Sequence, residues 1–210
     1  MFGSVRRSSL FTLVALLAGG AVLAGAAAAL APAPPLSARR FAAIDRLLKA
    51  SGPLEAREVS DADRERFVRA CRSLSTTDPL LRAQRARCQA VIDASAADKA
   101  LSTCGSYEEC ASKLRPLRDA FDREISATRQ LNVAVRREVA DRRCRAALLV
   151  PASDLRLLDA YARELTNLQT AYAEGSEPLV KRALARLAEI PLGDQRSVRD
   201  QRADLRRACR

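Results

Sequence analysis

The sequence predicts an all-α fold: a disulfide-stapled helical bundle with one long central helix, preceded by an N-terminal hydrophobic helix. From Ser37 onward, apolar residues recur three and four positions apart, as in helices that bury one face. Aromatic residues make up 4% of the chain and Trp is absent, so the core must rely on Leu, Val, Ile and Ala, which favours helices over a β-sandwich. Six cysteines follow an apparent export segment, a pattern typical of disulfide-bonded proteins.

The N-terminal segment, residues 1–30, is predicted to direct the chain across a membrane. Arg6 and Arg7 precede an uncharged stretch from Leu10 to Leu30, and positive charge before an apolar stretch keeps the N-terminus cytoplasmic. The stretch is about 20 residues long, enough to span a bilayer, yet its Ala-rich end also offers cleavage sites for a signal peptidase. Because signal sequences usually have shorter apolar regions, we favour a retained anchor over a cleaved leader.

Residues 31–36 form a Pro- and Ala-rich linker, and residues 37–210 are expected to fold as one extracytoplasmic helical domain. We therefore expect an exported protein on the outer side of the cell membrane. It would be a single-pass protein held in the membrane through Leu10 to Leu30, or a secreted protein if the leader is cleaved.

Capping residues and apolar spacing predict the first three helices. Ser37 caps a helix that ends before Gly52, and Ser60 begins a second. Asp78 as N-cap, with Pro79 in the first turn, begins a third. Their inner faces carry Phe41, Ile44 and Leu48, then Phe67, Cys71 and Leu74, then Leu81, Cys88 and Ile92.

The central helix is the longest predicted element. Ser106 and Glu109 form a capping box at its start. Pro116 conflicts with an uninterrupted helix, because proline lacks an amide hydrogen and crowds the preceding turn. We therefore expect the continuous part to run from about 113 to 149, with Pro116 in its first turn. Before it, the Ala-rich segment 93–104 is either a short helix or a loop.

Three further helices are predicted after the central one. Ser153 and Asp154 cap the first of them. A helix over 177–190 is expected to bury Leu179, Leu184 and Leu187. The last segment, 194–210, has a thin apolar face made of Val198, Leu205 and Cys209.

The six cysteines are expected to form three disulfide bonds, although six cysteines permit many pairings. Their positions predict the pairs Cys71–Cys88, Cys104–Cys110 and Cys144–Cys209. The first pair lies on the inner faces of two consecutive helices, and the second flanks the start of the central helix. The third would tie the thin last segment to the end of the central helix, where closing a long loop stabilises by ~4 kcal/mol.

The composition argues against most enzyme classes. Without histidine, the chain has no Ser–His–Asp triad, no Cys–His pair and no histidine general base. Glycine-rich phosphate-binding motifs are absent, and the cysteines lack the close spacing of zinc sites. Glu108 and Glu109 are best explained as first-turn residues that favour the helix dipole. We therefore predict no enzyme, no catalytic residue, and no metal or other cofactor.

The chain is strongly basic, with a formal net charge of +11. Most arginines alternate with Asp and Glu, as on a solvated helix face. The best candidate contacts for a polyanion are Arg199, Arg202 and Arg206, which share one face of the last helix, although Asp200 and Asp204 dilute that patch.

We expect a non-enzymatic, exported helical module that acts through interaction or as structure in the cell envelope. Its partner would be an envelope protein or an anionic polymer, which the sequence does not identify. Two alternatives stay open. One is an Arg-rich module that binds a polyanion, such as a wall polymer, anionic lipid or, least expected, nucleic acid. The other is a carrier that holds a small molecule or lipid between its helices.

Overall fold

The computed structural model describes residues 36–55, 59–191 and 197–209 of the chain. These residues are mostly helical, and no β-strand occurs among them, so the predicted all-α class is confirmed for this part of the chain. None of their helices combines the length and the apolar character needed to cross a membrane. The predicted N-terminal hydrophobic segment, residues 1–30, lies outside the described residues.

Eight α-helices are described, and they are numbered in chain order: α1 Ala38–Ser51, α2 Asp61–Arg72, α3 Pro79–Leu101, α4 Tyr107–Glu138, α5 Arg142–Leu148, α6 Ala152–Ala173, α7 Glu177–Glu189 and α8 Val198–Ala208. Four predicted N-caps are confirmed. Ser37, Ser60, Asp78 and Ser106 each accept a hydrogen bond from a backbone amide in the first turn of their helix.

The central helix α4 runs through Pro116 without a break, so the expectation that Pro116 marks its first turn is wrong. Proline removes one helical hydrogen bond, the one that the carbonyl of Ser112 would accept. Both residues are exposed, so water can reach that carbonyl. The helix instead begins at the predicted cap: Ser106 Oγ accepts the N–H of Glu109 at 3.1 Å, and Glu109 Oε2 accepts the N–H of Gly105 at 2.7 Å.

The central helix also ends at Glu138 rather than near 149, which corrects the prediction at its other end. Asp141 begins the separate helix α5, and its Oδ1 accepts the N–H of Cys144 at 2.6 Å. Arg145 donates to the carbonyls of the two residues that precede Asp141. The N-cap Asp141 and the hydrogen bonds from Arg145 therefore stabilise the break between α4 and α5. The spacing of apolar residues does not indicate this break.

Three smaller expectations are corrected or resolved. Helix α3 continues to Leu101, so most of the Ala-rich segment is helical. Helix α6 begins at Ala152, before the predicted cap, and no side chain caps it. In α7 the predicted core residue Leu179 is 37% exposed, and Val180 and Ala183 are buried instead. Since α7 packs mainly on α6, only a narrow face of it is covered.

The antiparallel hairpin of α3 and α4 forms the centre of the bundle. On one side, α6 packs against α4 and α7 packs against α6. On the other side, α1 packs against α2 and α8, and α8 also contacts α5. Leu114, Leu117 and Phe121 of α4 lie in the core, where the ring of Phe121 stacks on Tyr161 of α6 with 4.8 Å between centroids.

The chain joins the folded bundle at one end, which we call the proximal end. Leu36 is buried there, and Arg40 in the first turn of α1 binds Asp78 at the start of α3 and Glu138 at the end of α4. The proximal end therefore comprises the starts of α1 and α3, the ends of α4 and α8, and all of α5. The opposite, distal end comprises the turn between α3 and α4, the end of α6 and the start of α7.

The three predicted disulfide pairs are confirmed in the described residues. Cys71–Cys88 joins α2 to α3, Cys104–Cys110 closes the turn before α4, and Cys144–Cys209 joins α5 to the end of α8. Disulfide bonds of this number are typical of proteins in an oxidising, extracytoplasmic compartment. Helix α8 buries only three of its side chains, so the third bond adds to the ion pairs that attach it to α1.

We expect the Cys144–Cys209 bond to stabilise the fold more than the Cys104–Cys110 bond. The two bonds span 65 and 6 residues, for which the loop-closure model gives about 4 and about 2 kcal/mol. Chemical denaturation should show a loss of about 4 kcal/mol for Cys144→Ser with Cys209→Ser. The matched control, Cys104→Ser with Cys110→Ser, should lose about half as much, and equal losses would contradict the expectation.

Candidate functional site at the proximal end

Arg40 joins three helices at the proximal end. Its Nε donates to Asp78 Oδ2 at 2.7 Å, its Nη2 to Glu138 Oε2 at 3.0 Å, and its Nη1 to the carbonyl of Glu138 at 3.3 Å. The hydrogen bond to Asp78 raises the pKa of Arg40. Partial burial acts to raise the pKa of Asp78, but the hydrogen bond from Arg40 holds that pKa below its ordinary value. Both carboxylates are therefore occupied by one arginine.

Two of the three arginines predicted to contact a polyanion hold Asp45 of α1. Arg202 donates to the Asp45 carboxylate at 2.8 and 3.0 Å, and Arg206 donates to the same oxygens at 3.0 and 3.2 Å. The hydrogen bond from Arg202 is the main cause of a pKa of Asp45 far below its usual range. The third residue, Arg199, is exposed and forms no ion pair with a described residue. Because two guanidinium groups share one carboxylate, this contact keeps a positive charge.

Five more arginines lie at the proximal end, and the sequence reasoning missed them as a group. They are Arg39, Arg82, Arg136, Arg142 and Arg143, which we call the arginine cluster. All five are exposed, and none forms an ion pair with any described residue. They belong to four different helices, α1, α3, α4 and α5, so only the fold brings them to one end. Local spacing in the sequence could not reveal them.

Positive charge is concentrated at this end of the bundle. The proximal stretches are 36–45, 75–85, 134–148 and 202–209. In these stretches arginines outnumber carboxylates by more than two to one, and lysine is absent. In the distal stretches 95–115 and 165–182, acidic and basic residues are equal in number. The bundle therefore presents a basic, arginine-only end and an electrically balanced end.

A surface groove of about 610 Å³ lies between α2 and the end of α3. Its lining residues are Asp61, Arg64, Glu65, Val68, Arg69, Arg72 and Lys99. The charges are of both signs, and Arg69 pairs with Glu65 at 3.2 Å. Across the described residues, no three His, Cys, Asp or Glu side chains are grouped so that they could hold a metal ion. The groove is therefore also basic, with four basic and two acidic side chains, but these come from only two helices and Arg69 is already paired.

A second unusual polar feature is enclosed in the core. Arg87 of α3 and Glu124 of α4 are 1% and 0% exposed, and Arg87 Nη2 lies 3.9 Å from Glu124 Oε1, too far for a hydrogen bond. Neither Glu124 oxygen, nor Arg87 Nε and Nη1, nor Thr128 Oγ1 has a hydrogen-bond partner among the described residues. Burial raises the pKa of Glu124 to about 7 and lowers that of Arg87 to about 10.

The spacing of apolar residues could have indicated the burial of both members of this pair. Glu124 lies between Phe121 and Thr128 at the three- and four-residue spacing of the apolar stripe. Arg87 likewise lies four residues after Ala83 and four residues before Val91. Since the pair is closed off from solvent, it cannot contact a partner outside the bundle, and the exposed arginine cluster is the better candidate site.

The chain matches no known family model, and neither characterised proteins nor solved structures include one similar to it. The candidate site therefore rests on the residues of this chain alone.

We expect ionisation of Glu124 to reduce stability as the pH rises. Its folded pKa of about 7 exceeds the ordinary value of 4.5, so the folded state binds this proton more tightly than the unfolded state does. Stability should therefore be lost between pH 4.5 and 7, by about 3 kcal/mol in total. Urea denaturation from pH 5 to 8 should show a steeper slope in the parent protein than in Glu124→Gln. The slope that remains in the variant below about pH 6 comes from Asp98, because burial raises the pKa of that carboxyl to about 6.

The slope is a better readout than stability at one pH, because Glu124→Gln also leaves Arg87 without its partner. The control Glu189→Gln changes an exposed glutamate of α7 and should keep the parent slope. If Glu124→Gln kept it as well, ionisation of Glu124 would not be its source.

Proposed function

We propose that this protein is a non-enzymatic helical module of the cell envelope, exported across the membrane, which acts by binding through its proximal end. The observation that supports this most is the exposed arginine cluster. At the same end, Asp45, Asp78 and Glu138 are already engaged by other arginines. The cluster is therefore the uncompensated charge that a partner can meet.

The disulfide bonds support a binding role as well as export. They join α2 to α3 and α5 to α8, and the second of these bonds holds the end of α8 beside α5. A surface fixed in this way loses little conformational entropy when it binds. A rigid surface that presents positive charge is suited to binding a partner, and binding requires no catalytic group.

Capture of partners tests this proposal. Full-length protein, cross-linked in intact cells, should recover an envelope component. Recovery should fall by about tenfold in a triple variant of the cluster, since each exposed charge near an oppositely charged partner contributes roughly 0.5 kcal/mol and about 1.4 kcal/mol corresponds to a factor of ten. That variant is Arg136→Gln, Arg142→Gln and Arg143→Gln.

The matched control removes the same charge elsewhere, with Arg115→Gln, Arg163→Gln and Arg182→Gln. These three arginines are also exposed and form no ion pair with a described residue. The control should recover the component at the parent level. Equal losses in both triple variants, or no specific component at all, would refute the proposal.

A second candidate function is polyanion binding, which the arginine-only character of the proximal end favours. The planar guanidinium group of arginine binds phosphate or carboxylate groups through two parallel hydrogen bonds, which lysine cannot do. Arg199, Arg202 and Arg206 on α8 are the contacts proposed from sequence. Arg206 lies in the last turn of α8, at the proximal end. Arg202 and Arg206 already share Asp45, so Arg199 is the most available of the three.

For this second candidate, we expect salt-dependent retention of the detergent-solubilised full-length chain on immobilised heparin. The logarithm of the binding constant should fall linearly with the logarithm of salt concentration, because binding releases counterions. The triple variant of the cluster should show a shallower slope than the control triple. Retention that is unchanged from low to high salt would exclude polyanion binding.

A further inference from the structure

We infer that the proximal end lies against the outer surface of the membrane and that its arginine cluster binds anionic lipid headgroups there. This inference rests on the proposed function and on the predicted retention of the N-terminal anchor.

The chain enters the folded bundle at the proximal end, a short distance after the predicted anchor. Leu36 is buried at the proximal end, and Arg40 fixes the first turn of α1 to α3 and α4. Only residues 31–35 separate Leu36 from the apolar stretch Leu10 to Leu30. The six Cα–Cα steps from Leu30 to Leu36 cover about 19 Å in a polyproline conformation and at most about 22 Å in a fully extended chain. A retained anchor would therefore hold the proximal end close to the headgroup layer, which is roughly 5–7 Å thick on each side.

The arginine cluster lies at the end of the bundle where the chain enters. Its members are close in sequence to the groups that Arg40 joins. Arg39 is adjacent to Arg40, and Arg82 lies in the first turn of α3, which Asp78 caps. Arg136 precedes Glu138 in the last turn of α4, and the short helix α5 begins with the remaining two arginines. The end that is nearest to the membrane is therefore the end that carries the exposed guanidinium groups.

The arginine cluster matches an anionic membrane surface in both charge and chemistry. The potential of an anionic leaflet decays within about one Debye length, roughly 8 Å at physiological salt, so only charges held near the surface contribute. A linker of only residues 31–35 allows the cluster to come within this distance, and its arginines suit the phosphodiester groups of lipids. The distal end is electrically balanced, so the charge asymmetry also orients the bundle with its basic end toward the membrane.

The N-terminal anchor makes membrane lipid a better ligand for the arginine cluster than a dissolved or wall-bound polymer. Because the anchor keeps headgroups permanently near the cluster, their effective concentration is high and modest contacts suffice. A polymer in the surrounding space would gain no such advantage at this end. Lipid contact explains five arginines at the point of attachment, which form no ion pair with any described residue, more simply than a distant ligand does.

The experiment uses the full-length chain in nanodiscs of phosphatidylcholine alone or with about one third phosphatidylglycerol. Hydrogen–deuterium exchange is followed in peptides that cover 136–148, where the helix break and the short α5 leave amides open to exchange. We expect exchange there to slow severalfold in anionic discs, and the effect to vanish in high salt. Peptides from the distal turn, 102–106, should exchange equally in both discs.

The variants separate lipid contact from other effects. The triple Arg136→Gln, Arg142→Gln and Arg143→Gln should lose the slowing in anionic discs, and the control triple Arg115→Gln, Arg163→Gln and Arg182→Gln should keep it. Equal exchange of the parent protein in the two discs would overturn the inference, as would equal slowing at both ends. It would also be overturned if dissolved heparin slowed the same peptides in neutral discs more than anionic lipid does.

Failure of this inference can be told apart from failure of the proposed function. If partner capture depends on the arginine cluster while the two discs give equal exchange, the lipid inference fails and the binding module stands. If neither experiment responds to the cluster, both fail. N-terminal sequencing that finds a cleaved leader overturns this inference and leaves the proposed binding module standing.

Discussion

The antiparallel pairing of α3 with α4 is the contact on which the rest of the structure depends. Helices α6 and α7 join the bundle through α4, and the start of α3 meets the end of α4 at the site where Arg40 attaches α1. Arg87 of α3 and Glu124 of α4 are buried opposite each other within this pairing. An unpaired charge in the core costs several kcal/mol, roughly 3–5, whereas the pair partly compensates itself. A shift of one helical turn would separate the two side chains, so the pair disfavours other alignments of the hairpin.

The proximal end follows from that alignment by a sequence of ion pairs. Because Asp78 and Glu138 come together, Arg40 can bind both, and α1 is then placed with Asp45 toward α8. Asp45 in turn receives two arginines of α8, and the Cys144–Cys209 bond closes the arrangement. Asp45, Asp78 and Glu138 each bind an arginine that holds one helix to another, while several arginines are left in solvent. The ion pairs that hold the helices together at the proximal end therefore leave that end positively charged, and this charge is the basis of the proposed binding function.

The break after α4 is as important for the site as the hairpin is. A helix that continued to 149 would extend α4 by about 16 Å and carry Cys144 away from the end of α8. Instead the chain turns at Asp141, and the side chain of Asn132 binds both the N–H and the carbonyl of Val150, at 2.9 Å each, so that the connection to α6 is held against α4. The turn keeps α5 at the proximal end, where it supplies two arginines of the cluster and one half of the disulfide bond.

By itself the sequence determined the features that depend on neighbours a few residues apart. The caps of α1, α2, α3 and α4 follow from Ser or Asp beside an apolar helix face, and the buried line of Val198, Leu205 and Cys209 follows from helical spacing. The disulfide pairs followed as well, since they join positions that consecutive helices or short segments bring together. Only the tertiary structure decided which charges are neutralised, because Asp45 meets Arg202 across 157 residues of sequence. It also decided that Arg87 lies opposite Glu124 and that arginines from four helices share one end. Charge compensation depends on distances in space, and a single chain read in order does not contain those distances.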